Sequence, residues 1–285
     1  MKIVVLGASG MLGSQLVKYL GQYHDVVGIS RTAHPLSSYT CDFTNFDRLN
    51  SILNRVNANV IVNCSAITNI TYCEQNIYDA FSLHFYLPCF LSQRHEKNIY
   101  ISTDSVFSGK SGNYDETSAP HPLNTYSMSK LMGETPILDS GGLVLRSNIY
   151  GFNAHKEGNS LFEWAVRQVV NNQETTGYTD VMFNPVSIFS LSRIIASTLE
   201  KEGLYHIGSN LPISKCEFLQ YVINLVNPKF SRLQFGTQPD SLVKRPKNTT
   251  LNIKKSQNEG VLEVDLTRDL EETVSLYLEQ LRSYG

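Results

Sequence analysis

The chain has 285 residues, of which 41% are hydrophobic and 18% charged, so it can bury a core and is not a disordered or collagen-like polymer. Its 24 lysines and arginines nearly balance 26 aspartates and glutamates. The resulting formal charge of -2 excludes a general attraction to nucleic acid or to an anionic membrane. A local site for a phosphorylated small molecule remains open.

The five cysteines form no CxxC motif and no cluster with histidine. This favours reduced thiols in the core over disulfides, and it predicts no metal site. The first apolar run is too short for a secretory signal, and no stretch reaches the length of a membrane span. We therefore expect a cytoplasmic protein without nucleic-acid or membrane partners. The sequence is compatible with a homodimer.

Strands and helices alternate through the first half of the chain. Residues 2–6 are apolar and rich in β-branched side chains, which is typical of a strand buried on both faces of a parallel sheet. The repeated β-α units predict an α/β fold with a doubly wound parallel sheet and right-handed crossovers. The further strands are predicted at 25–29, 59–62, 98–101 and 143–145, and the helices at 11–21, 46–54, 74–94 and 125–138.

Beyond Gly151 the pattern is less regular and indicates a smaller lobe over the strand ends. Leu161, Phe162 and Trp164 fit the core of this lobe better than a base-stacking site. Residues 238–252 are polar and predict a long loop. Helices are predicted at 160–171, 190–202, 215–225 and 266–282.

A glycine-rich turn follows the first strand and opens the first helix. Gly7, Gly10 and Gly13 have the spacing GxxGxxG. The first glycine permits a tight turn, the second lets a pyrophosphate approach the backbone, and the third allows close packing of the helix on the sheet. In this β-α-β context the motif predicts dinucleotide binding, with the backbone of Met11 and Leu12 at the helix start.

The end of the second strand bears on the choice of cofactor. An acidic residue commonly holds the ribose there in NAD sites, but this chain has Ser30 and Arg31. A guanidinium suits a 2'-phosphate, so NADPH is favoured, although NADH stays open and Arg31 could be a solvated loop charge. Asp42 and Phe43 close a further short strand after the strand at 25–29, where the carboxylate could accept from adenine or form a turn with Thr44.

Tyr126 and Lys130 lie four residues apart in a predicted helix and therefore share one face. An adjacent ammonium is expected to lower the pKa of the phenol, so that Tyr126 can pass a proton to a carbonyl oxygen. Thr103 follows the strand predicted at 98–101, at the sheet edge where ligands bind in such folds.

The tracts GASGMLG, ISTDSVFSG with a later NYDE, and PLNTYSMSKLMGE resemble an extended short-chain dehydrogenase/reductase. The most similar group is the dTDP-4-dehydrorhamnose reductase family, also called the sugar-nucleotide-binding reductases. VIVNCSAITN, LRSNIYG, FNP and RPKNTTLN occur in the order of that family, so the resemblance covers almost the whole chain.

The resemblance implies a role for each matching residue. Thr103 would bond the reacting oxygen, Tyr126 would be the general acid, and Lys130 would hold the nicotinamide ribose. Arg245 matches an arginine associated with the substrate diphosphate. The expected cofactor-binding residues are Gly7, Gly10, Met11, Leu12, Gly13, Arg31, Asp42, Phe43, Ser65, Ala66, Thr68, Tyr126 and Lys130. The expected substrate-binding residues are Thr103, Asp104, Ser105, Asn148 and Arg245.

Several positions depart from the family pattern. Ser105 stands where the family usually has tyrosine, and Asn148 where it usually has tryptophan, so the identity of the sugar is left open. Ser105 cannot act as the acid of a sugar dehydratase, which argues against dehydration. His84 replaces a common asparagine, either beside the cofactor or as a packed helix residue.

The resemblance implies an NADPH-preferring reductase of a nucleotide-activated 4-keto-deoxysugar, used for surface polysaccharide. Residues 1–151 would form the NAD(P)-binding Rossmann domain and 152–285 the substrate-binding lobe, with a segment near 186–204 returning to the sheet. The alternatives are an epimerase that retains bound NAD, and a regulatory subunit resembling that of methionine adenosyltransferase.

Overall fold

The computed structural model describes residues 1–153, 158 and 160–283. Within these residues the strands are β1 (Lys2–Leu6), β2 (Asp25–Ser30), β3 (Tyr39–Thr40), β4 (Val60–Asn63), β5 (Lys97–Thr103), β6 (Leu143–Ser147), β7 (Ile149–Tyr150), β8 (Thr175–Tyr178), β9 (Met182–Phe183), β10 (Val186–Ser187), β11 (Gly203–Ile207), β12 (Ile213–Ser214) and β13 (Leu233–Gly236). The helices are α1 (Met11–Leu20), α2 (Phe46–Val56), α3 (Ile70–Gln75), α4 (Ile77–Phe81), α5 (Leu87–Ser92), α6 (Thr125–Met132), α7 (Glu134–Asp139), α8 (Leu161–Val170), α9 (Ile188–Ser197), α10 (Lys215–Val226), α11 (Lys254–Asn258) and α12 (Leu266–Ser283).

Seven parallel strands form the central sheet in the order β11-β6-β5-β4-β1-β2-β3. Helices cover both faces, as the side chains of β1 illustrate. Ile3 and Val5 pack on the side of α1, whereas Val4 and Leu6 pack on the side of α2. Both sets are buried because successive side chains of a strand point to opposite faces. The predicted doubly wound fold class is therefore confirmed.

The strand order reverses between β1 and β4, since the chain runs outward to β2 and β3 before it returns to β4. In open α/β sheets, ligands bind outside the carboxyl ends of the strands at such a switch point. The loops after β1, β4, β5 and β6 all start from this edge. The fold therefore predicts that a ligand binds at these loops.

The helix predicted at 74–94 is present from residue 77 to residue 92, but it is separated from α3 at Asn76 and contains a π-helical turn over Ser82–Tyr86 between α4 and α5. Pro88 has no N–H to donate to the carbonyl of His84, and the N–H of Leu87 instead reaches back to Ser82. The hydroxyl of Tyr100 donates to the freed His84 carbonyl at 2.9 Å. The His84 carbonyl is thereby held against β5, while the His84 ring reaches the loop after β4.

The C-terminal lobe has its own apolar core. Phe162 of α8, Phe218 of α10 and Leu270 of α12 are buried together, and Trp164 packs against them while partly exposed. Their positions favour lobe packing over base stacking for this aromatic group. Short strand pairs complete the lobe, with β8 parallel to β13 and β9 antiparallel to β12.

The segment from β10 to β11 lies on the sheet. Strand β11 pairs in parallel with β6, and α9 packs against α1. The strand ends at Ile207, beyond the segment 186–204 expected from the sequence. If the chain is divided at residue 151, strand β11 of the second part therefore belongs to the central sheet of the first part.

The five cysteines, Cys41, Cys64, Cys73, Cys89 and Cys216, are free thiols in the structure. Among the described residues, no group of histidine, cysteine and acidic side chains is arranged to hold a metal ion. The described helices also include none that is long and apolar enough to span a bilayer.

Candidate active site

The glycine turn brings backbone atoms close enough together that side chains would clash. Gly7 has φ +85°, a conformation that side chains rarely adopt. A Cβ at Gly13 would come within 2.1 Å of the Gly7 carbonyl oxygen. Gly10, which precedes α1, gives no side-chain cap to the N-terminal N–H groups of that helix. These features fit the pyrophosphate of a dinucleotide.

A cavity of about 620 Å³ opens beside this turn, at the carboxyl edge of the sheet. It brings together most of the residues predicted to bind ligand. Those that line it are Gly10, Met11, Leu12, Ser65, Ala66, Thr68, Thr103, Asp104, Ser105, Tyr126, Lys130 and Asn148. Those that lie outside its lining are Gly7, Gly13, Arg31, Asp42, Phe43 and Arg245.

Arg31 and Asp42 follow the two outer strands β2 and β3. The Arg31 side chain is exposed, while Ser30 is buried and bonded to Ser37. One oxygen of Asp42 accepts from the N–H and the hydroxyl of Thr44, at 2.9 and 2.8 Å. These bonds lower the pKa of Asp42. They match the turn alternative, although the second carboxylate oxygen is left for a ligand.

The Phe43 side chain is buried in the core beside α2, so only its backbone is available near a cofactor. The strand that was expected to close at residues 42 and 43 is shorter and comprises Tyr39–Thr40.

Tyr126 keeps its proton in this cavity. Burial raises the pKa of Tyr126 to about 12, while the hydroxyl of Thr103 acts in the opposite direction. The expectation that an ammonium lowers the pKa of this phenol is wrong, because burial outweighs the favourable contacts. A neutral phenol is the form that can donate a proton.

Lys130 is also buried, and its ammonium points at the sheet. Its Nζ donates to the carbonyl of Ile101 at 2.6 Å and lies 4.0 Å from the centre of the Tyr100 ring. Burial lowers the pKa of Lys130 to about 7, although Glu134 and Cys64 act in the opposite direction. The helix α6 thus presents to one cavity a neutral phenol and an amine that is partly protonated at neutral pH.

The His84 ring packs against the Tyr126 ring. Its Nε2 accepts from the N–H of Ile67 at 2.9 Å, so the proton is on Nδ1, which lies 2.9 Å from the Ser129 hydroxyl. The His84 and Tyr126 rings meet edge to face at 5.6 Å. Burial lowers the pKa of His84 to about 2. The ring is therefore neutral and links the loop after β4 to α6.

Asp104 is a buried carboxylate that lines the cavity. It accepts from Asn148 Nδ2 at 2.8 Å and from Thr249 Oγ1 at 2.5 Å. Burial raises its pKa, and these hydrogen bonds oppose that rise. The segment that carries Thr249 also places Arg245 near the site, because Asn124, the N-cap of α6, donates to the carbonyl of Lys244. Arg245 itself is exposed.

Sequence reasoning missed several residues at the site. Lys215, at the start of α10, lies close enough to Asp104 and Arg245 for both to affect its pKa, which burial lowers. Nothing in the local sequence distinguishes this lysine from a surface charge. Ser147 could have been found, because it ends β6 at the ligand edge. The cavity is also lined by Cys64, Ser147, Asn153 and Glu163.

Comparison with known proteins points in the same direction as this geometry. Residues 1–282 match the family model described as the RmlD substrate binding domain. A dTDP-4-dehydrorhamnose reductase from Aggregatibacter actinomycetemcomitans is 29% identical, over 90% of this chain and 92% of that protein. Methionine adenosyltransferase 2 subunit beta from Danio rerio is 26% identical, over 91% of this chain and 85% of that protein.

The fold is also similar to that of solved structures. The crystal structure of a hypothetical dTDP-4-dehydrorhamnose reductase from Sulfolobus tokodaii superposes with a TM-score of 0.84 at 26% identity, covering 93% of this chain and 96% of that one.

Proposed function

Because the chain belongs to the RmlD substrate binding domain family, we propose that it reduces the 4-keto group of a nucleotide-activated deoxysugar with NADPH. The observation that carries the proposal is the meeting of Thr103, Tyr126 and Lys130 in one cavity beside the glycine turn. A proton donor, an orienting hydroxyl and a cation are the groups that carbonyl reduction requires.

Several residues of this chain would hold the cofactor. The turn from Gly7 to Gly13 would bind the pyrophosphate, and the exposed Arg31 would bind the 2'-phosphate of the adenosine ribose. Ser65, Ala66 and Thr68 border the same cavity after β4. When bound, NADPH supplies the hydride that the carbonyl carbon receives.

Tyr126 supplies the proton in this proposal. Its Oη holds the proton at neutral pH because the pKa is about 12, and it gives that proton to the carbonyl oxygen as negative charge develops there. The Thr103 hydroxyl orients the same oxygen. Lys130, fixed on the Ile101 carbonyl, supplies positive charge and holds the nicotinamide ribose.

The substrate would enter between the sheet edge and the lobe. Asp104, Ser105 and Asn148 line the cavity and would contact the sugar. Arg245 and Lys215 would share the diphosphate, since both are cations and lie near each other. Ser105 has no carboxyl group, which supports reduction over dehydration.

Two alternatives make different predictions about the purified protein. An epimerase would retain bound NAD and would not consume NADPH. A regulatory subunit has specific support, because the relative from Danio rerio is similar over most of its length. Such a subunit would form a stable complex with a methionine adenosyltransferase and would not oxidise NADPH.

The deciding experiment is NADPH oxidation by the purified chain with dTDP-, GDP-, UDP- and CDP-linked 4-keto sugars. We expect rapid oxidation with one nucleotide and slow oxidation with the others. Absence of oxidation across the panel would overturn the proposal. We further propose a cytoplasmic location, a role in surface polysaccharide synthesis and a homodimeric state, which fractionation, product analysis and light scattering would test.

A further inference from the structure

Ser147 carries a buried hydroxyl for which the described part of the chain offers no hydrogen-bond partner. It is the last residue of β6, and 3% of its surface is exposed. A buried hydroxyl without a partner is unfavourable, so its retention calls for an explanation. Ser147 also lines the proposed active-site cavity.

The direction of the Ser147 side chain follows from the strand. Leu143 and Leu145 of β6 pack in the core on the side of α1, and side chains two residues apart share a face. Ser147 therefore faces the same side as α1. Arg146 points to the opposite side, where it pairs with Glu134. In the sheet register Ser147 lies directly beside Thr103.

Neighbouring polar side chains either have hydrogen-bond partners or lie away from the cavity. The Ser102 hydroxyl, one residue before Thr103, donates to Glu134 at 2.5 Å. Asn63 has an amide nitrogen without a described partner, but its oxygen accepts from Ser65 and it does not line the cavity. Ser147 thus combines burial, an unused hydroxyl and a position on the cavity wall.

We propose that the Ser147 hydroxyl binds the carboxamide of the nicotinamide ring, an inference that rests on the proposed function. The same cavity is lined by Met11 and Leu12 at the start of α1 and by Tyr126 and Lys130 at the catalytic helix. A dinucleotide whose pyrophosphate lies at the first pair and whose ring reaches the second has its nicotinamide end on this wall. A hydroxyl both donates and accepts, which matches an amide group.

The test compares two ligands that differ only at the nicotinamide end. Binding of NADP+ and of 2'-phospho-ADP-ribose is measured by calorimetry for the unmodified chain and for Ser147→Ala. We expect the substitution to weaken NADP+ binding about 3- to 10-fold, the worth of one neutral hydrogen bond, and to leave the fragment unchanged. Equal affinities for NADP+ in both proteins, or equal weakening for both ligands, would overturn the assignment.

Thermal unfolding without any ligand gives a second readout. We expect Ser147→Ala to melt at the same temperature as the unmodified chain or up to about 3 °C higher, because it removes an unpaired buried hydroxyl. The matched control is Ser192→Ala in α9, whose buried hydroxyl donates to the Ile188 carbonyl at 2.7 Å. This control is expected to melt lower and to bind NADP+ normally. A lower melting temperature for Ser147→Ala would contradict the proposal, since it would reveal a bond within the protein.

The two proposals fail in distinguishable ways. If the unmodified chain bound neither NADP+ nor the fragment, the reductase proposal would fall and this inference with it. If the unmodified chain bound NADP+ and Ser147→Ala bound it equally well, only the inference would be wrong.

Discussion

Glu134 and Asp269 are both buried carboxylates, one beneath the catalytic helix and the other in the last helix of the lobe. Glu134 is paired with Arg146, whose Nη2 lies 2.6 Å from Oε2. Asp269 accepts instead from the Tyr150 hydroxyl at 2.8 Å and from the Ser187 and Ser190 hydroxyls at 2.5 Å. The first carboxylate has a counter-ion, whereas the second is held by neutral groups.

This difference follows from how each region is built. Arg146 lies opposite Ser102 in adjacent parallel strands, so the sheet register brings both to Glu134. Asp269 joins segments that are distant in sequence, from β7, from the start of α9 and from α12. We conclude that the buried carboxylate next to α6 is balanced by a charge, whereas the buried carboxylate of α12 is satisfied by hydroxyl donors.

The largest expected effect is on turnover, in a variant whose stability should not change. Tyr126→Phe should lower turnover by about 10²- to 10⁴-fold, because it removes the proton donor. Binding of NADP+ and the unfolding midpoint should stay close to those of the unmodified chain. Tyr205→Phe is the matched control, since the Tyr205 hydroxyl bonds Glu259 outside the cavity. An unchanged rate in Tyr126→Phe would refute the mechanism.

Removing the counter-ion tests the catalytic half. Arg146→Met should cost about 3–5 kcal/mol in the free energy of unfolding, because it leaves Glu134 buried and charged. Urea denaturation measures this loss. Lys2→Met, which removes an exposed ion pair with Asp25, should cost less than about 1 kcal/mol. Similar losses in the two variants would remove the distinction between a buried pair and an exposed one.

Removing the Asp269 carboxylate tests the hydrogen bonds that connect α12 to β7 and α9. Asp269→Ala should cost about 2–3 kcal/mol, less than Arg146→Met, because it leaves unpaired hydroxyls rather than an unpaired charge. Asp269→Asn keeps one acceptor oxygen and should cost less than Asp269→Ala in the same denaturation series. A loss for Asp269→Ala larger than that for Arg146→Met would reverse the proposed ranking.

The last prediction concerns the dependence of stability on pH. The pKa of Lys130 is about 7 in the folded chain and near its ordinary value of 10.5 when unfolded. Between these values the unfolded chain binds more protons, so stability rises with pH by up to about 1.4 kcal/mol per unit. Below pH 7 Lys130 is protonated in both states, so the full cost of burying its charge lowers the stability. Lys130→Met should lack this slope in denaturation without cofactor from pH 7 to 9, and parallel curves would contradict the assignment.

The regular parts of the fold could be predicted from local patterns. Residues 2–6 are apolar throughout, and only a strand covered on both sides buries such a run. The spacing of Gly7, Gly10 and Gly13 likewise predicted the close approach observed between Gly13 and the Gly7 carbonyl. Such features depend on neighbours within a few residues, which a sequence displays directly.

The π-turn around His84 could not be predicted in the same way. Pro88 signals a lost hydrogen bond, but the π-turn also depends on Tyr100, which comes from a later strand and takes up the free carbonyl. Thr249 and Lys215 escaped notice for a related reason. They reach Asp104 only because the lobe folds back over the edge of the sheet.

The sequence by itself determined the Rossmann architecture, the glycine turn and the pairing of Tyr126 with Lys130 on one helix, because these follow from periodicity and spacing along the chain. Only the tertiary structure decided the protonation of that pair and left the Ser147 hydroxyl without a hydrogen-bond partner among the described residues. Both depend on burial. The free energy of a charge or a hydroxyl is set by the groups that exclude water from it, and those groups come from distant parts of the chain.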